Sequence, residues 1–182
     1  STPAPPRAPR PGGIRVGATQ SGELTARDPE QEDGGRYDAY AFRANAGDRF
    51  VVTLDSEAFD PLVRVGRMNG PDFVEISSND DAPGGGLNSR LTFTAPTAGE
   101  YVIRATSLED GLGRYELGLS EAPPAPPSKP IAIGDEIKGE LGSDSATNDV
   151  GQRAETYRFT GTNGQRVAIE MKSSDFDAYL TL

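Results

Sequence analysis

The sequence predicts an all-β chain: an antiparallel β-sandwich of jelly-roll-like type, followed by part of a second sandwich of the same kind. Short runs alternate apolar with polar residues, the pattern of a strand buried on one face. Glycine and proline, 22 and 15 of the 182 residues, separate those runs at the spacing of turns. The text of residues 14–65 also returns without a gap in residues 131–182. Gly22-Glu23-Leu24 recurs as Gly139-Glu140-Leu141, an offset of 117 positions. At the same offset Tyr40 and Phe42 recur as Tyr157 and Phe159, Gly47 and Arg49 as Gly164 and Arg166, and Ser56, Phe59 and Asp60 as Ser173, Phe176 and Asp177. Self-similarity at one offset denotes two copies of one structural unit.

Residues 1–13 hold five prolines and no large apolar side chain, so a polyproline II tether ending in a flexible Gly12-Gly13 joint is expected. Residues 14–120 form the complete sandwich. Its first strand runs from Val16 to Leu24. Tyr40 and Phe42 then alternate with Ala41 and Arg43, and Phe50, Val52 and Leu54 with Val51 and Thr53. Val63 and Val65 open a hairpin whose turn is Met68-Asn69-Gly70-Pro71, because Asn-Gly accepts the positive φ of a tight turn, and Phe73 to Ile76 returns. Leu91 and Phe93, then Tyr101 and Ile103, then Tyr115, Leu117 and Leu119 supply the remaining inward positions. Eight or nine strands and no helix follow, which argues for a sandwich over an open sheet. The pattern alone fits jelly-roll and immunoglobulin-like topologies alike. Tyr37 and Phe73 have no assigned side.

Residues 121–130, with Pro123-Pro124 and Pro126-Pro127, form a spacer. Residues 131–182 match the first copy only as far as Val65 and lack everything corresponding to Phe73 through Leu119. Strands carrying Tyr157, Phe159, Val167, Ile169, Met171, Tyr179 and Leu180 would then leave an apolar face and strand edges open, and such edges recruit strands. A longer tandem protein is expected, with homo-oligomerisation through the open second repeat.

With no cysteine, disulfides, thiolate metal sites and a cysteine nucleophile are excluded; with no histidine, the commonest general base and transition-metal ligand are absent. Serines are present, but a nucleophile would have only Lys129, Lys138 and Lys172 as amine bases, so the chain is not expected to be an enzyme. The balance of 18 basic and 28 acidic residues, net −10, opposes nucleic-acid binding. No apolar run has the length of a membrane span and no signal peptide is present, so no membrane insertion is expected and an exported chain would be in its mature form.

The ordered set Gly22-Glu23-Leu24, Tyr40-Ala41-Phe42, Ala46-Gly47-Asp48-Arg49, Phe59-Asp60-Pro61-Leu62-Val63, Asn79-Asp80-Asp81, Leu91 to Pro96, Ala98-Gly99-Glu100-Tyr101 and Gly113 to Leu117 resembles the bacterial pre-peptidase C-terminal domain. That family is a β-sandwich module of secreted peptidases, related to the collagen-binding modules of bacterial collagenases. The resemblance implies a non-catalytic, secreted, periplasmic or cell-surface accessory module. Its partner would be a protein or a polysaccharide. A structural or assembly subunit, its partial repeat completed by another chain, is the alternative.

The candidate site is a metal site: Asp60 with Asn79, Asp80 and Asp81, ahead of the Gly84-Gly85-Gly86 run. Hard oxygen donors without imidazole or thiolate suit calcium, and the resemblance supports calcium at acidic loops. Asx turns in a solvated loop are the alternative reading of the same residues. A second acidic stretch, from Asp28 to Gly35, reads as a solvated loop.

Overall fold

Nine strands formed by residues 12–121 build two facing sheets in the computed structural model, which describes residues 11–32, 34–82, 88–148 and 152–182. Residues 1–10 of the expected tether, Asp33 and Gly84-Gly85-Gly86 lie outside the described residues. The strands are β1 (Gly12–Gly13), β2 (Ala18–Leu24), β3 (Tyr37–Ala44), β4 (Arg49–Asp55), β5 (Pro61–Asn69), β6 (Asp72–Asn79), β7 (Ser89–Thr94), β8 (Gly99–Ser107) and β9 (Gly113–Glu121). One sheet has the order β1-β3-β8-β5-β6 and the other β2-β9-β4-β7. Every pairing among β2 to β9 is antiparallel. With the short β1 set aside, this interleaving of eight strands is the jelly-roll order, which decides between the two topologies that periodicity left open.

The core lies between the sheets and takes alternate residues from each strand. Phe42, Phe50, Val52, Leu54, Val63, Val65, Leu91, Phe93, Tyr101, Ile103, Leu117 and Leu119 are all buried in it, as the alternation requires. At its centre Phe93 meets Tyr101 edge-on at 5.1 Å, and Phe42 meets Phe50 edge-on at 5.2 Å. Each such pair contributes about 0.5–1.5 kcal/mol beyond the area it buries.

Val51 is placed on the outward side by alternation, as is the residue between Tyr101 and Ile103, yet both Val51 and Val102 are buried. For Val102 the register gives the reason: it stands opposite Gly66, and the ring of Phe73 lies across that glycine. A Cβ on Gly66 would fall 2.8 Å from Phe73 Cζ and 2.2 Å from the Val74 carbonyl, at the point where the β5–β6 register slips by one residue. Only glycine lets the bulge close. The hairpin turn forms where expected, with Gly70 at φ 63°.

Gly12 and Gly13 also differ from expectation. They are no free joint but pair in parallel with Tyr40 and Ala41 at the edge of β3, and Ile14 N–H donates to the Ala41 carbonyl at 3.0 Å. The last residues of the expected 121–130 spacer, with the chain that follows, repeat this arrangement. There β10 (Ser128–Pro130) pairs in parallel with β11 (Thr156–Arg158), Lys129 opposite Tyr157 where Gly12 is opposite Tyr40. Ile131 N–H donates to the Arg158 carbonyl at 3.0 Å. Arg153 Nη1 donates to the Ser145 carbonyl as Arg36 Nη1 does to that of Asp28, and Ser173 Oγ caps Phe176 N–H as Ser56 Oγ caps that of Phe59. Each of these contacts is local, or links β3 to what precedes it, and each recurs at the sequence offset.

The long ladders do not recur. Among the described residues of 131–182, only Thr156–Arg158 is a strand, so the expected strands at Val167, Ile169, Met171, Tyr179 and Leu180 are absent. The physical reason is the lack of partners: in residues 12–121 the equivalent strands pair with β7, β8 and β9. Burial fails with pairing. Phe59 is 8% exposed and Phe176 44%; Val52 is 0% exposed and Ile169 46%.

Candidate binding face and calcium loop

Asp60 lies immediately before β5, and Asn79 ends β6. The antiparallel register sets Val63 opposite Asn79, so Asp60 and the Asp80-Asp81 pair come to the same end of the two neighbouring strands. Sequence separation hides this proximity, and the hairpin creates it. Asn79 Nδ2 donates to the Arg90 carbonyl at 2.7 Å and to the Asp81 carbonyl. Ser89 Oγ donates to the Asn79 carbonyl at 2.5 Å. The loop is thus stitched to the start of β7. The Asp60 carbonyl accepts from Leu108 N–H at 2.9 Å. Asp80 is half-buried and Asp81 exposed. Among the described residues no group of three or more carboxylates is gathered closely enough to hold a metal by itself, so a cation here would draw on carbonyl and amide oxygens as well.

The outer side of the β3-β8-β5-β6 sheet carries a feature that periodicity does not reveal. Arg104 on β8 faces Arg64 on β5 in the ladder, a pairing of like charges. Two arrangements offset the repulsion. The Arg104 guanidinium lies between the rings of Tyr37, 4.0 Å from its centroid, and Phe73, 4.1 Å away. Arg64 Nη1 approaches Glu75 Oε2 at 3.6 Å. The sides of Tyr37 and Phe73, unassigned in the sequence, are therefore both outward. Beyond Phe73 the edge strand β6 exposes Val74 and Ile76, next to Met68 of β5. Charged stack and apolar edge together form the most distinctive surface of residues 12–121.

Between the two sheets, Tyr40 and Tyr115 join their hydroxyls at 2.6 Å, and Tyr115 donates to Asp38 Oδ2 at 2.5 Å. Burial pushes the Tyr115 phenol far up, and its bonds to Asp38 and Tyr40 push the same way. Burial likewise raises Asp38, with the Tyr115 hydrogen bond opposing and the charge of Asp28 adding to the rise. Tyr40 is raised by burial as well. A tyrosine held protonated this firmly is a structural clamp between β3 and β9, unsuited to act as a base at neutral pH.

Tyr101 makes a further clamp. Its hydroxyl donates to the Thr97 carbonyl at 2.6 Å, while Arg67 covers its ring at 4.6 Å and donates to Thr97 Oγ1 at 2.7 Å and to the Ala98 carbonyl at 2.8 Å. These contacts hold the Ala98-Gly99-Glu100-Tyr101 turn in place.

Residues 36–107 match the family model described as the bacterial pre-peptidase C-terminal domain. No curated protein matches the chain by sequence. Among solved structures, the chain is similar to the pre-peptidase C-terminal domain of a collagenase from Bacillus anthracis, at 17% identity and a TM-score of 0.45, over 61% of this chain and 95% of that one. It is also similar to PliG of Aeromonas hydrophila, a periplasmic inhibitor of g-type lysozyme, at 19% identity and 0.44, over 60% and 93%. A third is the surface-associated copper-binding protein CorA of Methylomicrobium album BG8, at 11% identity and 0.48, over 63% and 99%.

Proposed function

We propose that this chain, whose residues 36–107 form a domain of the bacterial pre-peptidase C-terminal family, is a non-catalytic accessory module of an exported or cell-surface protein that binds or positions a macromolecule. The family match carries this reading. The side-chain inventory supports it: the chain has no histidine or cysteine, and the phenol of Tyr115 is held protonated by burial and by its bonds to Asp38 and Tyr40. The binding face is the outer surface at β6, where Phe73 lies on Arg104 with Met68 opposite it in the ladder, together with the adjoining edge of β6, which exposes Val74 and Ile76. Aromatic and arginine side chains at an apolar edge are the usual anchors of protein recognition, and a protein partner fits this face better than a polysaccharide. Co-sedimentation of the chain with insoluble fibrous protein, and separately with insoluble polysaccharide, tests the reading. Retention on protein that Ile76→Asp or Val74→Asp abolishes is expected; retention on neither material refutes it.

Calcium belongs to the same proposal, held by Asp60, Asn79, Asp80 and Asp81. Support comes from the shared strand end at which the register sets these oxygen donors. A cation bound only by the folded state raises its stability by mass action, about 2.7 kcal/mol at a hundred times the dissociation constant. Melting in roughly millimolar calcium should therefore exceed melting in chelator, and Asp80→Asn with Asp81→Asn should remove the difference. Equal melting of the unaltered chain in both buffers leaves only the Asx turn.

A second reading, an assembly subunit, is favoured by one observation: Val167, Ile169, Met171, Phe176 and Leu180, which match core positions of the first unit, are exposed.

A further inference from the structure

The two edges of the five-stranded sheet differ. At one edge β1, the segment that enters the unit, adds itself to β3 in parallel, with Gly12 opposite Tyr40 and Gly13 opposite Ala41. At the other edge β6 pairs, among the described residues, with β5 alone. The β5–β6 hairpin closes around Gly70 and Pro71, with Asn69 opposite Asp72. In a two-residue hairpin the closing pair exchanges both backbone hydrogen bonds, and alternate pairs beyond it do the same. The backbone of Val74, opposite Arg67, is therefore turned to β5, while the N–H and C=O groups of Phe73 and Glu75 face the open edge.

Open edges are ordinarily guarded by proline, a bulge or charge. Within β6 there is no proline, and the bulge, which lies beyond the Gly66–Glu75 pair, leaves Asp72 to Glu75 regular. The charge is all of one sign: Asp72, Glu75, Asp80 and Asp81 are the only charged residues from Pro71 to Ala82. Such an edge repels its own kind and admits a basic one. It is also apolar between its charges. Of the exposed large apolar side chains of the first unit, Met68, Val74 and Ile76 all belong to this one hairpin.

We propose that β6 takes up an extended, basic segment of a partner protein as an added antiparallel strand. The segment is hydrogen-bonded to Phe73 and Glu75, with a β-branched or aromatic side chain against Val74 and lysine or arginine at both ends. The inference rests on the reading of β6 as the binding face and names the form the partner takes there. Charge selects the occupant. A second copy of this chain, net −10, would set one acidic edge against another, whereas a basic segment meets Asp72 at one end and Asp80 and Asp81 at the other.

The test uses the full chain and synthetic peptides built on acetyl-Lys-Thr-Val-Thr-Val-Thr-Lys-amide, with binding read from the backbone amide shifts of residues 72–76 during titration. The unmodified peptide should move those shifts. A peptide N-methylated at two adjacent central residues, which loses a donor on either edge of the strand, should bind at least tenfold more weakly, and so should one with glutamate in place of both lysines. Glu75→Pro removes an edge-facing N–H and leaves the bonds to β5 in place, so it should weaken binding of the unmodified peptide at least tenfold, while Glu75→Gln should not. Equal binding of the methylated peptide overturns the proposal without any change to the protein, as does an absence of shifts at residues 72–76. A concentration-dependent dimer that Glu75→Pro abolishes also overturns it, because a second copy would then be the occupant. If fibrous protein retains Glu75→Pro as well as the parent while Ile76→Asp is lost, the face binds but not by strand addition; retention of neither parent nor variant removes the face itself.

Discussion

The ring of Tyr115 lies across Gly22 so closely that a Cβ on that glycine would fall 2.2 Å from the Tyr115 Cζ. The two residues face each other in the β2–β9 ladder, and the contact lets the phenol pass through the sheet edge to Asp38. Gly22 is therefore required by packing, not by an unusual backbone conformation, since its φ is not among the positive ones.

Gly22→Ala should accordingly destabilise the first unit by about 1–3 kcal/mol through overpacking, a fall in melting temperature on the order of 10 °C for a domain of this size. In a Tyr115→Ala background the same change should cost much less, because the obstacle is gone. Gly139→Ala should leave the melting of the first unit unchanged. Thermal unfolding of the four variants and the parent decides this, and additivity of the first two changes would contradict the contact.

Tyr115→Phe keeps the ring and removes the hydroxyl that joins Tyr40 to Asp38. A loss of about 1–2 kcal/mol is expected from the unpaired groups left behind. Spectrophotometric titration supplies a second check. The parent should retain one phenol that does not ionise at any pH where the fold survives, and the variant should lose it.

Asp38 makes stability depend on pH with a definite sign. Burial, the largest cause, raises its folded-state pKa above the unfolded value, so the folded protein holds a proton that the unfolded chain releases. The contribution is fully present below the ordinary carboxylate pKa and is lost as pH rises through the raised value. Denaturant unfolding across the acid range should show the stability of the parent relative to Asp38→Asn falling with rising pH over that window. A difference that grows with pH would mean that the Tyr115 hydrogen bond outweighs burial.

The stack of Tyr37, Arg104 and Phe73 should couple energetically. Arg104→Ala and Phe73→Ala should show an interaction of about 0.5–2 kcal/mol in a double-mutant cycle. Arg104→Lys should recover only part of it, because a compact ammonium cannot lie flat between two rings. Full recovery by lysine would show that the charge alone matters opposite Arg64.

Core membership was legible from periodicity because a strand presents alternate residues to one face whatever it pairs with. Phe42, Val52, Phe93, Ile103 and Leu117 needed no knowledge of their neighbours. Val102 and Phe73 did: Val102 stands opposite Gly66, over which the Phe73 ring lies at a bulge that forms only when β5 and β6 slip in register. Arg104 was invisible as a feature for the same reason, since the like-charged Arg64 and the two flanking rings come from three other strands. Of the metal-site residues, clustering of Asn79, Asp80 and Asp81 could be read from adjacency, while the approach of Asp60 needed the hairpin register.

By itself the sequence determined that the chain is all-β, where its turns lie, which residues fill the sandwich, and that residues 14–65 and 131–182 share one text. Those properties are local or periodic, and local physics writes them into adjacent residues. Tertiary structure alone decided the jelly-roll order, the outward stack around Arg104, the crossing of Tyr115 over Gly22, and the different fates of the two repeats. The reason is that a strand is completed by partners distant in sequence. Phe59 and Phe176 share one local sequence, but Phe59 is packed edge-on against the Tyr115 ring of β9, while Phe176 is exposed.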